Sequence, residues 1–443
     1  MFQRFLLRLY YKIYRYDHWR RYHFSFNGHL ILLVMSMAIV FGIDTKQSTT
    51  YQLAAFLFAL ILLAFINSLF NRLNVSSHRQ LPRYATVGER FSYNIILKNL
   101  TPNTYDQLIL IERLHVSAPL LSQLHTFYQS KHQPFFKRFI GFKKWYQFLN
   151  YQRGGILDET PLPPLSQRPL SVKIHLTPTR RGKLTLDNSY LAKTDRLGLY
   201  RRLILLNNSQ SLLILPQRYP INPLNLSGQR KYQQGGVSLA NSVGDSSEFM
   251  SLRDYQQGDP LNTIHWKSYA KQGKLIVKEY QDEYFVRRAL LLDTFVGSQP
   301  NDQFEAAVSV AASIAMSERQ NEALLDLMFV GHQAYCFTTG RGVDHLPHLQ
   351  EILAAVQTSS ETAFEKLQQH VFSQLGQCSS FFCVLMHWDN ARQSFVKQLL
   401  ARNIPVAVFL IHGGELILEQ CNNKPEHFYL INYHHLATEL AKI

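Results

Sequence analysis

The sequence predicts three structural parts in series: a membrane helical hairpin, a β-sandwich-like domain, and an α/β domain with a predominantly parallel sheet. Three observations predict them. Residues 24–43 and 51–70 are two apolar runs without Asp, Glu, Lys or Arg. Residues 84–118 and 168–216 hold short apolar runs broken by Asn, Pro and Gly, as antiparallel strands and their turns require. From residue 286 onward, short continuous apolar runs alternate with segments of helical period, the pattern of an α/β sheet covered on both faces.

Each apolar run, at 1.5 Å rise per residue, reaches about 30 Å, the thickness of a bilayer's hydrocarbon core. The seven-residue link DTKQSTT, 44–50, predicts a tight hairpin of two transmembrane helices over 24–74. A cleavable signal peptide does not explain the second run, and no small-residue cleavage signal follows the first. Residues 1–23 form a basic tail carrying Arg4, Arg8, Lys12, Arg15, Arg20 and Arg21 against Asp17, while the link carries only Asp44 and Lys46. Arg72, Arg79 and Arg83 follow the second run. Basic flanks stay inside, so the expectation is a multi-pass protein of the bacterial inner (cytoplasmic) membrane with its soluble body in the cytoplasm.

Composition narrows the function classes. The net charge of +15 raises nucleic acid as a partner. The concentration of basic residues before an apolar run makes anionic lipid the simpler one. The lipid bilayer is therefore the expected partner, and nucleic acid is not. Cys336, Cys378, Cys383 and Cys421 have no CxxC spacing, which points to buried thiols rather than a disulfide framework or zinc site.

The β-sandwich-like domain is expected over 75–230. Its strands fall at RFSYNIILKNL (90–100), QLILIERLHV (107–116), SVKIHLTP (171–178), GKLTLDNSYL (182–191), LILL (203–206) and SLLILP (211–216). An insertion at 119–167 interrupts it. From Lys131 to Arg153 that insertion has six basic residues, no acidic one, and many aromatics. Lys137, Arg138, Lys143, Lys144 and Trp145 are candidates for a membrane or partner interface, with rings in the headgroups and ammoniums on phosphates. An ordinary hairpin packed on the sandwich accounts for them equally well, and stacking on single-stranded nucleic acid is a third reading.

The module at 286–443 should hold strands at 287–295, 324–330, 334–337, 379–389 and 404–411. Helices are expected at 303–319, 346–356, 361–375, 391–401 and near 436–440, with 334–337 an antiparallel edge strand.

Between the two domains, 231–285 contains the least ordinary stretch, 245–283, expected to be an interdomain joint. In DYQQGDP, Gly258 suits a positive φ, and Asp259 suits capping of the backbone N–H groups that follow it. Trp266 is expected to be buried, with Arg253 paired to Asp254, Asp259 or Glu279.

Here the chain resembles the bacterial membrane proteins that carry domain of unknown function 58. The signature matches at Arg253, Asp254, Tyr255, Gly258 and Asp259, then Ile264, His265 and Trp266, then Ala270, Lys271, Gly273, Leu275 and Glu279; Lys271 replaces the usual arginine. Arg181, Gly182, Asp195, Gly198 and Leu199 resemble an upstream element of the same family. The resemblance implies a von Willebrand factor A-like C-terminal region. It also implies a setting beside MoxR-type AAA+ ATPases and other membrane proteins, some transglutaminase-like. No enzymatic activity is established for the family's central motif, so it implies a non-enzymatic membrane-anchored scaffold or adaptor.

A metal-binding A-type domain has aspartate–x–serine–x–serine at its first strand end, whose carboxylate and hydroxyls hold a hard divalent ion. This chain has Asp293, with Phe295 and Gly297 at the hydroxyl positions, and Asp389 after a later strand. The expected site is degenerate, with no metal. No Walker A, GxGxxG or HExxH motif is present, so no cofactor is expected. Whether the protein is an enzyme stays open, with the adaptor favoured. The alternative is an enzyme acting on a membrane-associated or envelope-related substrate through an acid–base arrangement of His265, Asp254 and Asp259.

Overall fold

The computed structural model describes residues 2–41, 48–70, 73–116, 142–157, 159–222, 224, 226, 248–259, 261–281, 287–295, 302–318, 324–330, 334–339, 345–358, 364–374, 378–414 and 424–443. The chain forms two units, one built chiefly on Met1–Gln217 and the other on the chain from Arg218 onward.

The first unit opens with three helices, α1 (Phe2–His23), α2 (Phe26–Phe41) and α3 (Ser48–Leu69), and α2 packs against α3. Among the described residues one helix, Thr49–Leu69, is long and apolar enough to cross a membrane. This corrects the expected multi-pass topology and the orientation built on it. Helix α2 has 16 residues. It therefore rises about 24 Å, short of the ~30 Å hydrocarbon core. The run loses its first residues to a cap. Ser25 ends the preceding chain: its Oγ accepts from Gly28 N at 3.1 Å and donates to Gly198 O at 2.5 Å, while its N–H donates to Leu199 O at 3.1 Å. Gly28 permits this approach, since a Cβ there would sit 2.2 Å from Leu199 O.

Eleven strands follow: β1 (Val75–Gln80), β2 (Tyr84–Thr86), β3 (Phe91–Asn99), β4 (Leu108–Ile111), β5 (Gly155–Leu157), β6 (Thr160–Pro161), β7 (Leu170–Pro178), β8 (Gly182–Leu186), β9 (Ser189–Thr194), β10 (Arg201–Leu206) and β11 (Gln210–Leu215). They form sheets of order β1-β3-β7-β5, β10-β9-β4-β6 and β2-β11-β8, with only β2–β11 parallel. The period-2 pattern works as expected: Tyr93, Ile95 and Leu97 of β3 point inward beside Val172, Ile174 and Leu176 of β7. All three sheets contribute to one apolar core. The expected run 182–191 is two strands, because Asp187 and Asn188 turn the chain between β8 and β9.

A buried ion pair lies inside this unit. Arg79 is fully buried and donates to Glu112 at 2.7 Å, Ser189 Oγ at 3.0 Å, and the carbonyls of Asn208 at 2.6 Å and Asp187 at 3.0 Å. Glu112 also accepts from the Tyr93 hydroxyl at 2.9 Å. Burial first, then the Glu112 charge, pushes the Tyr93 pKa far up.

Two segments differ from expectation. Residues 2–23, expected as a basic tail, form helix α1, and 142–153 of the insertion form helix α4 (Phe142–Arg153). Trp145, 1% exposed, packs with Phe148 and Leu149 of α4 against Leu7, Tyr10 and Tyr14 of α1. Trp145 is therefore withdrawn as a membrane-interface residue, since its ring is spent on the helix pair. Lys143 is exposed. Lys137, Arg138 and the Lys144 side chain lie outside the described residues.

The second unit contains a hairpin of β12 (Glu248–Asp254) and β13 (Ile276–Gln281), bracketing the short helix α5 (Trp266–Gln272). A six-stranded sheet follows, made of β14 (Arg287–Leu292), β15 (Leu324–Val330), β16 (Ala334–Thr339), β17 (Ser380–Leu385), β18 (Val406–His412) and β19 (His427–Asn432). Its order is β16-β15-β14-β17-β18-β19, parallel except for the edge strand β16. Its helices are α6 (Asp302–Glu318), α7 (His345–Ala355), α8 (Phe364–Gln374), α9 (Asn390–Leu400) and α10 (Leu436–Leu440). Helix α6, buried along Ala307, Val308, Ala311 and Ala312, meets β14, β17 and β18. Leu367, Val371, Phe395 and Leu399 of α8 and α9 pack with Ala289, Leu291, Phe381, Cys383 and Val408 of the sheet. Cys378 and Cys383 are buried free thiols and Cys336 is half-buried; burial, then Asp326, pushes Cys378 up to about 12.

Replacing Glu112 by alanine leaves Arg79 charged and buried. The expected loss of stability is about 3–5 kcal/mol, read by chemical unfolding of the detergent-held chain. Tyr93→Phe, which removes one hydrogen bond to the same carboxylate, should lose only about 1 kcal/mol.

Candidate functional site

The signature residues gather on the β12–β13 hairpin and the turn it carries. Arg253 and Asp254 end β12 opposite Val277 and Ile276, and an isolated bridge joins Ile264 to Val277. Arg253 grips Asp259 with both arms of its guanidinium, Nη1 and Nη2 each at 2.7 Å from a carboxylate oxygen. Of the three expected partners, Asp259 is one that Arg253 holds, and Nη1 also donates to the Asp254 carbonyl at 3.2 Å. The same carboxylate accepts from Gln256 N at 2.9 Å, so Asp259 fastens the turn behind it, not the backbone ahead. Gly258 has φ 113°, the value that a side chain resists. The hydrogen bond from Arg253, then that from Gln256, holds the Asp259 carboxyl below the ordinary range.

Trp266 is 60% exposed, where burial in a joint was expected. It begins a helix of only seven residues that closes at Gly273, φ 67°, and no buried residue lies on that helix. Leu252, Leu261, Tyr269 and Leu275 of the same segment are exposed as well, and Trp266 meets Tyr269 edge to face at 6.0 Å. Tyr255 is half-buried, and Lys271 and Asp254 are exposed. Glu279 pairs through its backbone with Ser251; its side chain lies outside the described residues. His265 Nδ1 meets Ser268 Oγ at 2.6 Å, and Asp259 is held by Arg253. Among the described residues, His265 makes no hydrogen bond to Asp254 or Asp259.

A second cluster sits at the C-terminal ends of the sheet's two central strands, β14 and β17. Strand β14 leads to β15 on one side while β17 leads to β18 on the other, so the order reverses between β14 and β17. Open α/β sheets bind ligands in the crevice beyond the strand C-termini at such a reversal. Asp293 follows β14 and is fully buried; Asp389 caps α9, accepting from Arg392 N at 2.9 Å. Arg392 joins them, with Nε and Nη2 both 2.7 Å from Asp293 and Nη1 2.5 Å from Asp389. Burial works against its charge, but Asp293, then Asp389, outweighs burial and raises the Arg392 pKa. Phe295 packs on the apolar core, and Gly297 lies outside the described residues. This donor set does not fit a hard divalent ion, since a guanidinium already occupies the carboxylates and an aromatic ring stands at a hydroxyl position. Asp293 and Asp389 were legible as strand-end carboxylates; Arg392 was missed. Its spacing of three from Asp389, across a helix start, was the available signal.

The two clusters lie on a chain that contains a recognisable domain. The family model described as "Protein of unknown function DUF58" matches residues 251–374, so a DUF58 domain is present, within a multidomain protein of mixed α and β regions. The chain is similar to "Uncharacterized protein YeaD" of Bacillus subtilis (strain 168), 29% identical over 197 residues. That match covers 43% of this chain and 47% of the relative, about half its length. Among solved structures, the CARDB domain of PF1109 from Pyrococcus furiosus matches 33% of this chain and 96% of its own, at 11% identity and a TM-score of 0.18. A cohesin module from Clostridium perfringens matches 32% and 98%, at 13% identity and a TM-score of 0.16. Likenesses of this size add nothing to the fold described above.

Two outcomes follow from these contacts. Arg392→Met strands the buried Asp293 carboxylate and should destabilise the chain by about 3–5 kcal/mol, with part of the loss recovered by adding Asp293→Asn; thermal unfolding checks both. Asp259 has a depressed folded-state pKa, so its contribution is present above its unfolded value and is lost as pH falls through the lower, folded one. Carboxyl NMR should place its midpoint below 3.8, and Arg253→Gln should move that midpoint upward.

Proposed function

We propose that this chain is a non-enzymatic adaptor whose sheet unit is von Willebrand factor A-like. Its expected partner is a MoxR-type AAA+ ATPase, bound through the signature hairpin. The observation that carries this reading is the exposed apolar set Leu252, Leu261, Trp266, Tyr269 and Leu275, all within the segment 252–275 that spans the signature hairpin, with Trp266 against Tyr269. A cluster of large exposed apolar groups around a tryptophan is the composition of a protein-binding hot spot. The exposed Lys267, Lys271 and Lys274 around it favour an acidic partner face.

The strand order of the six-stranded sheet, with one antiparallel edge, supports an A-domain-like module. The sheet-bounded first unit supports a sandwich-like body. The Arg392 bridge supports an adaptor, because it fills the crevice where such a sheet takes a ligand. Attachment to a membrane fits the Thr49–Leu69 helix, whose Phe56, Phe58, Leu63 and Phe65 are exposed apolar side chains that a bilayer covers.

Because Trp266 is exposed, Trp266→Ala should unfold within about 0.5 kcal/mol of the unaltered chain. It should bind the purified MoxR-type ATPase of the same genome at least ~30-fold more weakly, the effect of a hot-spot residue. Calorimetric titration of the full chain measures the second quantity. Undiminished binding by both Trp266→Ala and Tyr269→Ala would remove the hairpin as the docking element.

A further inference from the structure

The first unit holds a cavity of about 690 Å³ that the adaptor reading does not use. Helix α1 lines one wall with Tyr14, Arg15, His18 and Tyr22, residues spaced to share a helix face. Arg113 comes from the chain just after β4, and Arg153 from the end of α4.

Charge in this cavity does not balance among the described residues. Its carboxylates are Glu112 and Asp187. Glu112 is bound to Arg79 at 2.7 Å, and Asp187 lies 3.0 Å from His115. Arg113 makes no ion pair among the described residues. Its guanidinium lies between the rings of Tyr22 and Tyr190, 4.7 and 4.2 Å from their centroids, and its buried Nε has no hydrogen-bond partner there. Arg153 donates to the Tyr14 hydroxyl at 2.8 Å and meets no carboxylate among the described residues. Arg15 is exposed at the rim.

Two guanidiniums held in place by tyrosine rings, with hydroxyls beside them, match the several acceptor oxygens of a phosphate better than the two of a carboxylate. The volume is that of a small-molecule site, well above what a bare ion needs. His18 reports the same imbalance. It lies against Tyr14 and Tyr22, with ring centroids at 5.5 and 4.5 Å. Burial, then Arg113, Arg153 and Arg21, with Asp17 opposing, pushes its pKa down to about 4.

We propose that this cavity binds a phosphate-bearing organic anion, its phosphate held by Arg113 and Arg153 and its remaining atoms against the tyrosines of α1 and α4. The inference stands apart from the adaptor reading. A glycerol phosphate and the headgroup of an anionic lipid share this chemistry.

The test uses the full chain in neutral detergent, titrated with glycerol 3-phosphate by calorimetry. In parallel, the same detergent-held chain is titrated with short-chain phosphatidylglycerol or short-chain phosphatidylcholine. Arg113→Gln and Arg153→Gln should each weaken binding about ten-fold or more, while Arg402→Gln, an exposed arginine of the other unit that does not line the cavity, should leave it unchanged. Loss in both arms identifies a phosphate that need not be part of a lipid. Loss with short-chain phosphatidylglycerol alone identifies a lipid headgroup. A readout on the unaltered chain guards against misfolded variants: saturation with the binding probe should raise the His18 midpoint, followed by imidazole NMR, because the anion favours the imidazolium. No binding in either arm, equal loss in Arg402→Gln, or an unmoved His18 midpoint overturns the proposal.

Discussion

The second unit depends on how Asp293 is neutralised. A carboxylate buried at the reversal point of an open sheet needs a cation and hydrogen bonds, or it destabilises the fold. Arg392 supplies both from the first turn of α9, and the same guanidinium holds Asp389, the residue that caps that turn. The bridge therefore fixes the start of α9 against the ends of β14 and β17. It also takes up the crevice that this topology leaves open in ligand-binding sheets. The signature hairpin carries a joined pair of its own, Arg253 with Asp259.

The same device recurs at Arg79, which satisfies a carboxylate, a hydroxyl and two carbonyls inside the first unit. Arginine suits such positions because its planar fork reaches several acceptors at once and stays charged throughout. At the start of β14, Arg287 holds Asp326 at 2.6 Å and Arg288 holds Glu318. Each pair ties a strand residue to a neighbouring element, so charge pairing sets register where apolar packing alone is less selective. Arg113 and Arg153 stand out against this background because no carboxylate answers them among the described residues.

Strands were legible wherever a period of two or a continuous apolar run persisted, as in β3, β7, β14, β17 and β18. Strand β19, HFYLIN, was missed because its half-buried aromatics give neither pattern. Helix α1 was missed because its charges dominate composition, while its tyrosines gain their role only against Trp145 of a distant segment. The Trp266 expectation failed for a related reason. A tryptophan beside charges reads as a residue to bury, yet burial is decided by what packs over it, and seven residues of helix present no covering face. The first of the two expected spans failed at Phe24 and Ser25. Hydropathy counted them as membrane residues, whereas a cap and a turn from the β-sheet claim them.

That cap has a practical side. Ser25 and Gly28 cover the carbonyls of Gly198 and Leu199, and Phe24 covers Tyr200. Arg202 reaches back to the last carbonyls of α3 at Ser68 and Leu69. A recombinant fragment cut before Val75 would not be a clean globular body with its tether removed. It would carry uncovered aromatic and carbonyl surface at the β9–β10 turn, and Trp145 would lose the tyrosines that enclose it. The natural unit for expression and crystallisation therefore includes the N-terminal helices.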